Sequence, residues 1–403
     1  MSMDRTASGI VWTGTEKALL TAVGFVQGVI LARLLSPHDF GLTAMLGIFL
    51  GVGTTLAESG LGTALVTDGG RYSGYERGAF RWNLGIAAAL YAVLFLVAPA
   101  VSRWYGIELL SPLMRVMALG LPISAVSVVA YARLTREMRF RELALINSLP
   151  SVLGAALAIL LAWKGCGVWS IVALGLFTAA VRTAFVWIAA RRCPPPAGAV
   201  SDTYRSFLSL GFKFAGSTLL YTVYSNLYQL VIGKVFSPAA VGVFSRAQRW
   251  SRLPVETVNE SVGRVAFVAF SRRRGGLARF LAVNCALLWP VLAALWLYAE
   301  PAVRIILGEQ WLECVPLLRV LILGAFVTPF GDLAYRRILA SGRGGMVMAD
   351  ELVKRVFGFA LLAVGCRYGL DGLCWSLVAH DVVTAMTDWT FVLLVGKGAH
   401  GDD

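Results

Sequence analysis

Long apolar blocks separated by short polar connections run the length of this chain. A helix that crosses a bilayer needs about 20 mostly apolar residues, and about twelve stretches meet that need. They lie near 9–34, 40–66, 80–101, 113–131, 143–163, 168–190, 207–236, 241–270, 280–298, 317–339, 347–364 and 372–395. The pattern predicts an all-α membrane protein. The first, second, seventh and eighth stretches are the longest and carry polar residues, and tilt in the bilayer accommodates such length. No connection between stretches is long enough for a soluble catalytic domain or a nucleotide-binding cassette.

The longest polar break is Arg191-Arg192-Cys193-Pro194-Pro195-Pro196, running on to Tyr204. Its prolines make it extended and semi-rigid. Six stretches precede it and six follow, which predicts a six-helix lobe over 1–195 and a second over 196–403. An internal repeat supports the division. The chain reads ARLLSPHDFGL around Ser36 and GKVFSPAAVGV around Ser237, so Ser36/Ser237, Pro37/Pro238, Gly41/Gly242 and Arg33/Lys234 pair at an offset of 201 residues. The same offset pairs Glu16 with Ser217, Lys17 with Thr218, Thr21 with Thr222 and Gly24 with Ser225. Six spans return the chain to its starting side, so the copy enters in the same orientation. Parallel repeats of this kind hold their substrate between the halves.

Composition narrows the class. The 403 residues are 58% hydrophobic and 15% charged, with a mean hydropathy of +0.71. Soluble chains run at roughly half and roughly a quarter. A soluble enzyme, a disordered chain and a disulfide scaffold are excluded. The six cysteines are scattered without a CxxC pair and read as small apolar fillers. No glycine-rich phosphate loop, HExxH or nucleophile triad is present, so no metal or cofactor is expected. The net charge of +13 would suggest nucleic acid on a soluble protein. Here it collects in alternate connections, such as Arg133, Arg136, Arg139 and Arg141, or Arg272, Arg273, Arg274 and Arg279. The intervening connections carry few cations, among them Arg103, Lys164 and Arg304. The positive-inside rule then puts both termini in the cytoplasm and leaves no nucleic-acid partner. The opening residues 1–8 are polar and the first apolar stretch is long enough to span, so no cleavable signal peptide is expected.

Three segments carry a family resemblance. The stretch FGLTAMLGIFLGVGTTLAESGLGTALV at 40–66, the run LTREMRFRELALINSLPSVLG with GCGVWSIVALG, and VGVFSRAQRWSRLPVETVNESVGRVAFVAFSR from Val241 are diffuse patterns. They resemble the second span, the fourth-to-sixth-span region and the eighth span of polysaccharide transporters, the O-unit (Wzx-type) lipid-linked oligosaccharide flippases of the MOP flippase superfamily. The resemblance implies a MATE-like V of two lobes that works by alternating access in the bacterial inner membrane. It implies passage of an undecaprenyl-diphosphate-linked sugar unit from the cytoplasmic to the periplasmic leaflet, for lipopolysaccharide, capsule or exopolysaccharide synthesis. It implies no enzyme activity, with a polysaccharide polymerase and glycosyltransferases as candidate partners. Many members carry two further C-terminal spans, and this sequence stops after the twelfth. A cation-coupled multidrug exporter of the same superfamily stays open as an alternative, as does, more remotely, a membrane-embedded polymerase or ligase. The exporter would present acidic residues where this chain presents arginines; the polymerase or ligase would need a large periplasmic loop.

Charges inside a bilayer are costly and each needs a reason. The eighth span concentrates them as Arg246, Arg249, Arg252, Glu256, Glu260 and Arg264. Arg249, Arg252, Glu256 and Glu260 share one helix face, although Pro254 can kink it. The guanidinium groups of Arg249 and Arg252 suit a diphosphate. The rival reading pairs Arg252 with Glu256 and Glu260 with Arg264. In span one, Glu16 and Lys17 sit on a polar stripe with Thr13, Thr21, Gly24 and Gln27, and snorkelling competes with a substrate role for Lys17. Span seven offers Lys213, Tyr221, Tyr224 and Tyr228, whose rings and hydroxyls suit sugars or plain helix packing. Glu58 in span two is a candidate for ion coupling or for pairing with an arginine. His380 beside Asp381 in span twelve could relay protons or form a structural bond. Asp350–Lys354 and Glu351–Arg355 are i,i+4 pairs expected to be structural.

The charge asymmetry generates a topological test. Reporter tags at Met138 and Gly275 are expected to read cytoplasmic, and tags at Gly106 and Gly308 periplasmic. Reversal at both pairs would overturn the orientation.

Overall fold

The computed structural model describes residues 3–58, 62, 65–66, 75–193, 219, 222–223, 225–272 and 276–398. The described residues build an all-helical protein. The helices are α1 (Met3–Leu34), α2 (Pro37–Glu58), α3 (Glu76–Tyr105), α4 (Leu110–Ala118), α5 (Gly120–Arg136), α6 (Phe140–Trp163) and α7 (Trp169–Ala190). A helical stretch at 225–235 leads to α8 (Pro238–Ser271), α9 (Leu277–Leu297), α10 (Ala299–Ile306), α11 (Cys314–Ala340), α12 (Gly344–Gly365) and α13 (Gly369–Gly398). Eight of the resulting spans are long and apolar enough to cross a membrane, α4 and α5 counting together as Leu110–Arg136. α8, α12 and α13 have the length, at 34, 22 and 30 residues, but charges interrupt their apolar runs. Half of the expected seventh span lies outside the described residues.

The chain divides into two compact units, Met1–Val241 and Gly242–Asp403, so the division falls in the first turn of α8. The boundary expected at 195/196 lies outside the described residues.

The Ser-Pro repeat has a local structural meaning. Ser36 precedes α2, and its Oγ accepts a hydrogen bond from the Asp39 backbone N–H at 3.3 Å. Ser237 precedes α8, and its Oγ accepts one from the Ala240 N–H at 3.1 Å. Each serine is therefore an N-cap that satisfies the N–H three residues on. Pro37 and Pro238 follow at the first helical position, where a missing N–H costs nothing. Asp39 answers Ser36 by accepting from its N–H at 3.1 Å. That reciprocity is a capping box, and alanine at position 240 removes it from the second copy.

Small residues set the packing within each unit. In the first, Leu31 of α1 and Leu35 just beyond it meet Ala158 and Ala162 of α6. Ala130 and Leu134 of α5, Leu143 and Ile146 of α6, and Val186 and Ala190 of α7 form a second buried cluster. Lipid tails are as apolar as leucine, so helix association in a membrane depends on such close contact. One end of this unit is tied by charge. Glu76, in the first turn of α3, accepts from Arg133 at 2.5 Å and Arg136 at 3.2 Å, both in the last turn of α5. Acid at a helix start and base at a helix end both oppose the helix dipole. Arg133 Nη1 also donates to the Cys193 carbonyl at 3.0 Å, which fastens the exit of α7 to the same point. Burial pushes the Cys193 thiol above its ordinary range, the nearby Glu137 adds to this, and Arg139 opposes it.

In the second unit, Val262 and Ala266 of α8, Leu277 of α9 and Leu333 of α11 form a buried cluster. Two glycines of α11 let it lie close against α13. A Cβ added at Gly324 would lie 3.3 Å from Val378 Cα and 2.8 Å from Asp381 Oδ2. A Cβ added at Gly331 would lie 3.5 Å from Ala385 Cα and 3.1 Å from Asp388 Oδ2. Both glycines, and both aspartates, are seven residues apart. The two glycines thus form one seam, and the seam sets the depth of two carboxylates. Gly331→Leu is expected to overpack it and cost about 1–3 kcal/mol, lowering the thermal midpoint of the detergent-purified protein, with Gly331→Ala milder. An unchanged midpoint for the leucine variant would show that the seam yields freely.

Candidate functional site

The charges of α8 have three different fates. Arg264 is exposed and pairs with Glu260 at 3.2 Å, as the spacing predicted. Arg252 reaches across to α13, where its Nη2 donates to Asp381 at 3.0 Å to Oδ1 and 3.3 Å to Oδ2. Its side chain is 35% exposed and that of Asp381 only 14%, so the pair is anchored at its aspartate end and open at its guanidinium end. Arg249, one turn earlier, is exposed and has no carboxylate within 4 Å among the described residues. Arg246 lies over the ring of the fully buried Trp311 at 5.7 Å. Glu256 is exposed. Along this helix, neutralisation weakens from Arg252 to Arg249. That gradient leaves a guanidinium fork available to an anion.

Deeper in the same unit lies a cluster that sequence spacing gave only in part. The i,i+4 pairs Asp350–Lys354, at 2.5 Å, and Glu351–Arg355, at 2.8 Å, are both formed. The Lys354 ammonium also reaches Asp388 of α13 at 2.6 Å and lies 4.6 Å from the Tyr335 ring centroid. Asp350, Lys354 and Asp388 are all nearly inaccessible, at 0%, 5% and 1%. The lysine therefore bridges α12 to α13 through two buried carboxylates. The link between Lys354 and Asp388 spans 34 residues of sequence, and helical periodicity cannot reveal it. His380 is buried on α13, while the neighbouring Asp381 carboxylate engages Arg252.

In the first unit, Glu16 is half-buried and accepts a hydrogen bond from Asn147 Nδ2 of α6 at 2.7 Å. The same nitrogen lies 3.1 Å from the Tyr131 hydroxyl of α5. Lys17 is exposed. Thr55 of α2 and Thr222 exchange a hydroxyl hydrogen bond at 3.1 Å. Lys213, Tyr221 and Tyr224 lie outside the described residues, Tyr228 is buried at 2% exposure, and Glu58 closes α2 with its side chain outside the described part. Sequence reasoning passed over Arg182 of α7, whose guanidinium carbon sits 5.3 Å from the Tyr131 ring centroid. A single charge inside a 22-residue apolar helix was the available signal.

Residues 30–316 match the family described as polysaccharide biosynthesis protein. The chain belongs to that family. A curated relative, the succinoglycan biosynthesis transport protein ExoT of Rhizobium meliloti (strain 1021), is 27% identical over 387 residues, covering 94% of this chain and 78% of the relative. The lipopolysaccharide biosynthesis protein WzxC of Escherichia coli (strain K12) is 21% identical, covering 97% of this chain and 81% of the relative. Among solved structures, the lipid II flippase MurJ in an inward closed conformation aligns with a TM-score of 0.76 at 13% identity, over 96% of this chain and 87% of its own. An inward-facing MATE-family multidrug resistance transporter of the MOP superfamily aligns with a TM-score of 0.73 at 18% identity, over 96% and 99%. This member of the polysaccharide biosynthesis protein family therefore shares the fold of those two structures, and with eight helices long and apolar enough to cross a membrane among the described residues it is a multi-pass membrane protein.

The lysine bridge gives a stability test. Lys354→Met leaves two buried carboxylates without their cation and is expected to cost about 3–5 kcal/mol. Adding Asp350→Asn and Asp388→Asn removes all three charges and is expected to recover most of the loss, read as thermal midpoints in detergent. A single variant as stable as the parent would show that the bridge holds nothing together.

Proposed function

We propose that this chain is a flippase for undecaprenyl-diphosphate-linked oligosaccharide units. It moves them from the cytoplasmic to the periplasmic leaflet of the bacterial inner membrane, with both termini in the cytoplasm, and makes or breaks no covalent bond. Membership of the polysaccharide biosynthesis protein family supports this reading, as do relatives named for succinoglycan transport and lipopolysaccharide biosynthesis. The observation that carries it is Arg249, an exposed guanidinium on a span-length helix, without a carboxylate within 4 Å among the described residues. A charge kept at such cost is functional by default, and the guanidinium fork matches diphosphate oxygens. In this reading Arg249 takes a phosphate directly. Arg252, held by Asp381, adds its open edge. Lys17, Lys213, Glu16, Tyr221, Tyr224 and Glu256 are assigned to the surface that meets the diphosphate and sugars, and Glu58, His380 and Asp381 to ion coupling. Polymerase and glycosyltransferases act before and after it as partners.

The test is flipping of a fluorescent lipid-linked oligosaccharide in proteoliposomes. Arg249→Ala is expected to slow it at least tenfold with insertion unchanged. Arg249→Lys should recover part of the rate, because it keeps the charge and loses the bidentate contact. Arg264→Ala, which removes only an exposed pair, should stay within about twofold of the parent. Arg249→Ala flipping at the parent rate would overturn the reading.

A further inference from the structure

Within the first unit, α1, α5, α6 and α7 line an open cavity of about 380 Å³ whose walls mix apolar and polar side chains. Gln27, Ser127, Ser151, Thr178, Arg182 and Thr183 are on its walls. Arg182 lies eight residues before the end of α7 at Ala190, which is about 12 Å along the helix. It is therefore inside a hydrocarbon layer about 30 Å thick. No carboxylate lies within 4 Å of it among the described residues, and its guanidinium carbon sits 5.3 Å from the Tyr131 ring centroid. A cation at that depth must face water, an anion or both.

Leu174, Gly175 and Ala179 give the wall an apolar part, and its other polar groups are mainly acceptors. Ser127 donates its proton to the Ser124 carbonyl at 2.8 Å, Ser151 to the Asn147 carbonyl at 2.8 Å and Thr183 to the Ile123 carbonyl at 3.0 Å. Their oxygen lone pairs stay available to accept from hydroxyl groups of a guest. Arg182 and the Gln27 amide supply donors, and Thr178 Oγ1 is buried without a hydrogen-bond partner among the described residues. Ring hydroxyls of a sugar both donate and accept, so this mixture suits a sugar, and one guanidinium suits one carboxylate. The volume is at the small end for ligand pockets, which limits the guest to one ring with a few waters of about 30 Å³ each.

We propose that this cavity binds one acidic, carboxylate-bearing sugar residue. The assignment deepens the flippase reading and rests on it for its biological meaning, because the sugar would belong to the transported unit. Its test does not use transport.

In a background with the native cysteines replaced, Ala179→Cys puts a reporter thiol on the cavity wall of the full chain in nanodiscs. The field of Arg182 is expected to make a sulfonate-bearing methanethiosulfonate react at least fivefold faster than a trimethylammonium one. D-glucuronate is expected to slow modification at least fivefold, while D-glucose and inorganic phosphate leave it within twofold. Arg182→Gln should abolish both the charge preference and the protection. Gln27→Leu, which leaves the cation in place, should keep the preference and weaken protection. No labelling by either reagent, labelling without protection, equal protection by glucose, equal protection by phosphate, or protection surviving Arg182→Gln would each overturn the proposal. Protection by glucuronate in a protein that fails to flip would sink the flippase reading alone. Flipping without protection would sink this one alone.

Discussion

A charge inside a bilayer has to be neutralised, hydrated or placed at the edge, and this structure is organised around that requirement. The second unit meets it by pairing across helices: Arg252 with Asp381, and Lys354 with both Asp350 and Asp388. The pairs need α13 to lie close to its neighbours. Gly324 and Gly331 let α11 pack tightly on α13, because a Cβ at either would crowd the Asp381 or Asp388 carboxylate. Backbone proximity thus comes first, and the electrostatic pairs depend on it. In the first unit Glu16 is held by Asn147, which also bonds the Tyr131 hydroxyl, while Arg182 lies over the Tyr131 ring and faces the cavity.

The two copies of the Ser-Pro motif show how a duplicated element diverges. Both begin a helix by the same N-cap geometry. Beyond that start, α2 is apolar between Asp39 in its first turn and Glu58 at its end, while α8 gathers three arginines and two glutamates in its middle. A shared cap fixes where each helix begins, and the residues after it are free to take different roles.

How much of this was readable in advance follows the range of each interaction. Spans, caps and the i,i+4 pairs Glu260–Arg264, Asp350–Lys354 and Glu351–Arg355 are local, and periodicity exposes them. Arg252 illustrates the limit. Spacing offered Glu256 as a partner, whereas the structure joins Arg252 to Asp381, 129 residues away. Asp388 was visible as a charge in a span, but its bond to Lys354 depends on how α12 and α13 lie together. Arg182 was legible as a lone charge, and only the cavity walls contributed by four helices gave it a context.

The composition of α8 also bears on how the protein is made. Cells select membrane helices as they emerge, and each central arginine raises the cost of partition by about 2.5–3.5 kcal/mol. α8 carries Arg246, Arg249 and Arg252 within two turns, and it is not among the eight segments apolar enough to enter by themselves. In the folded protein part of that cost is offset by α13, whose Asp381 pairs with Arg252. The helix richest in charge thus depends for its neutralisation on the last helix of the chain to be synthesised, so truncation before α13 would leave Arg252 without Asp381.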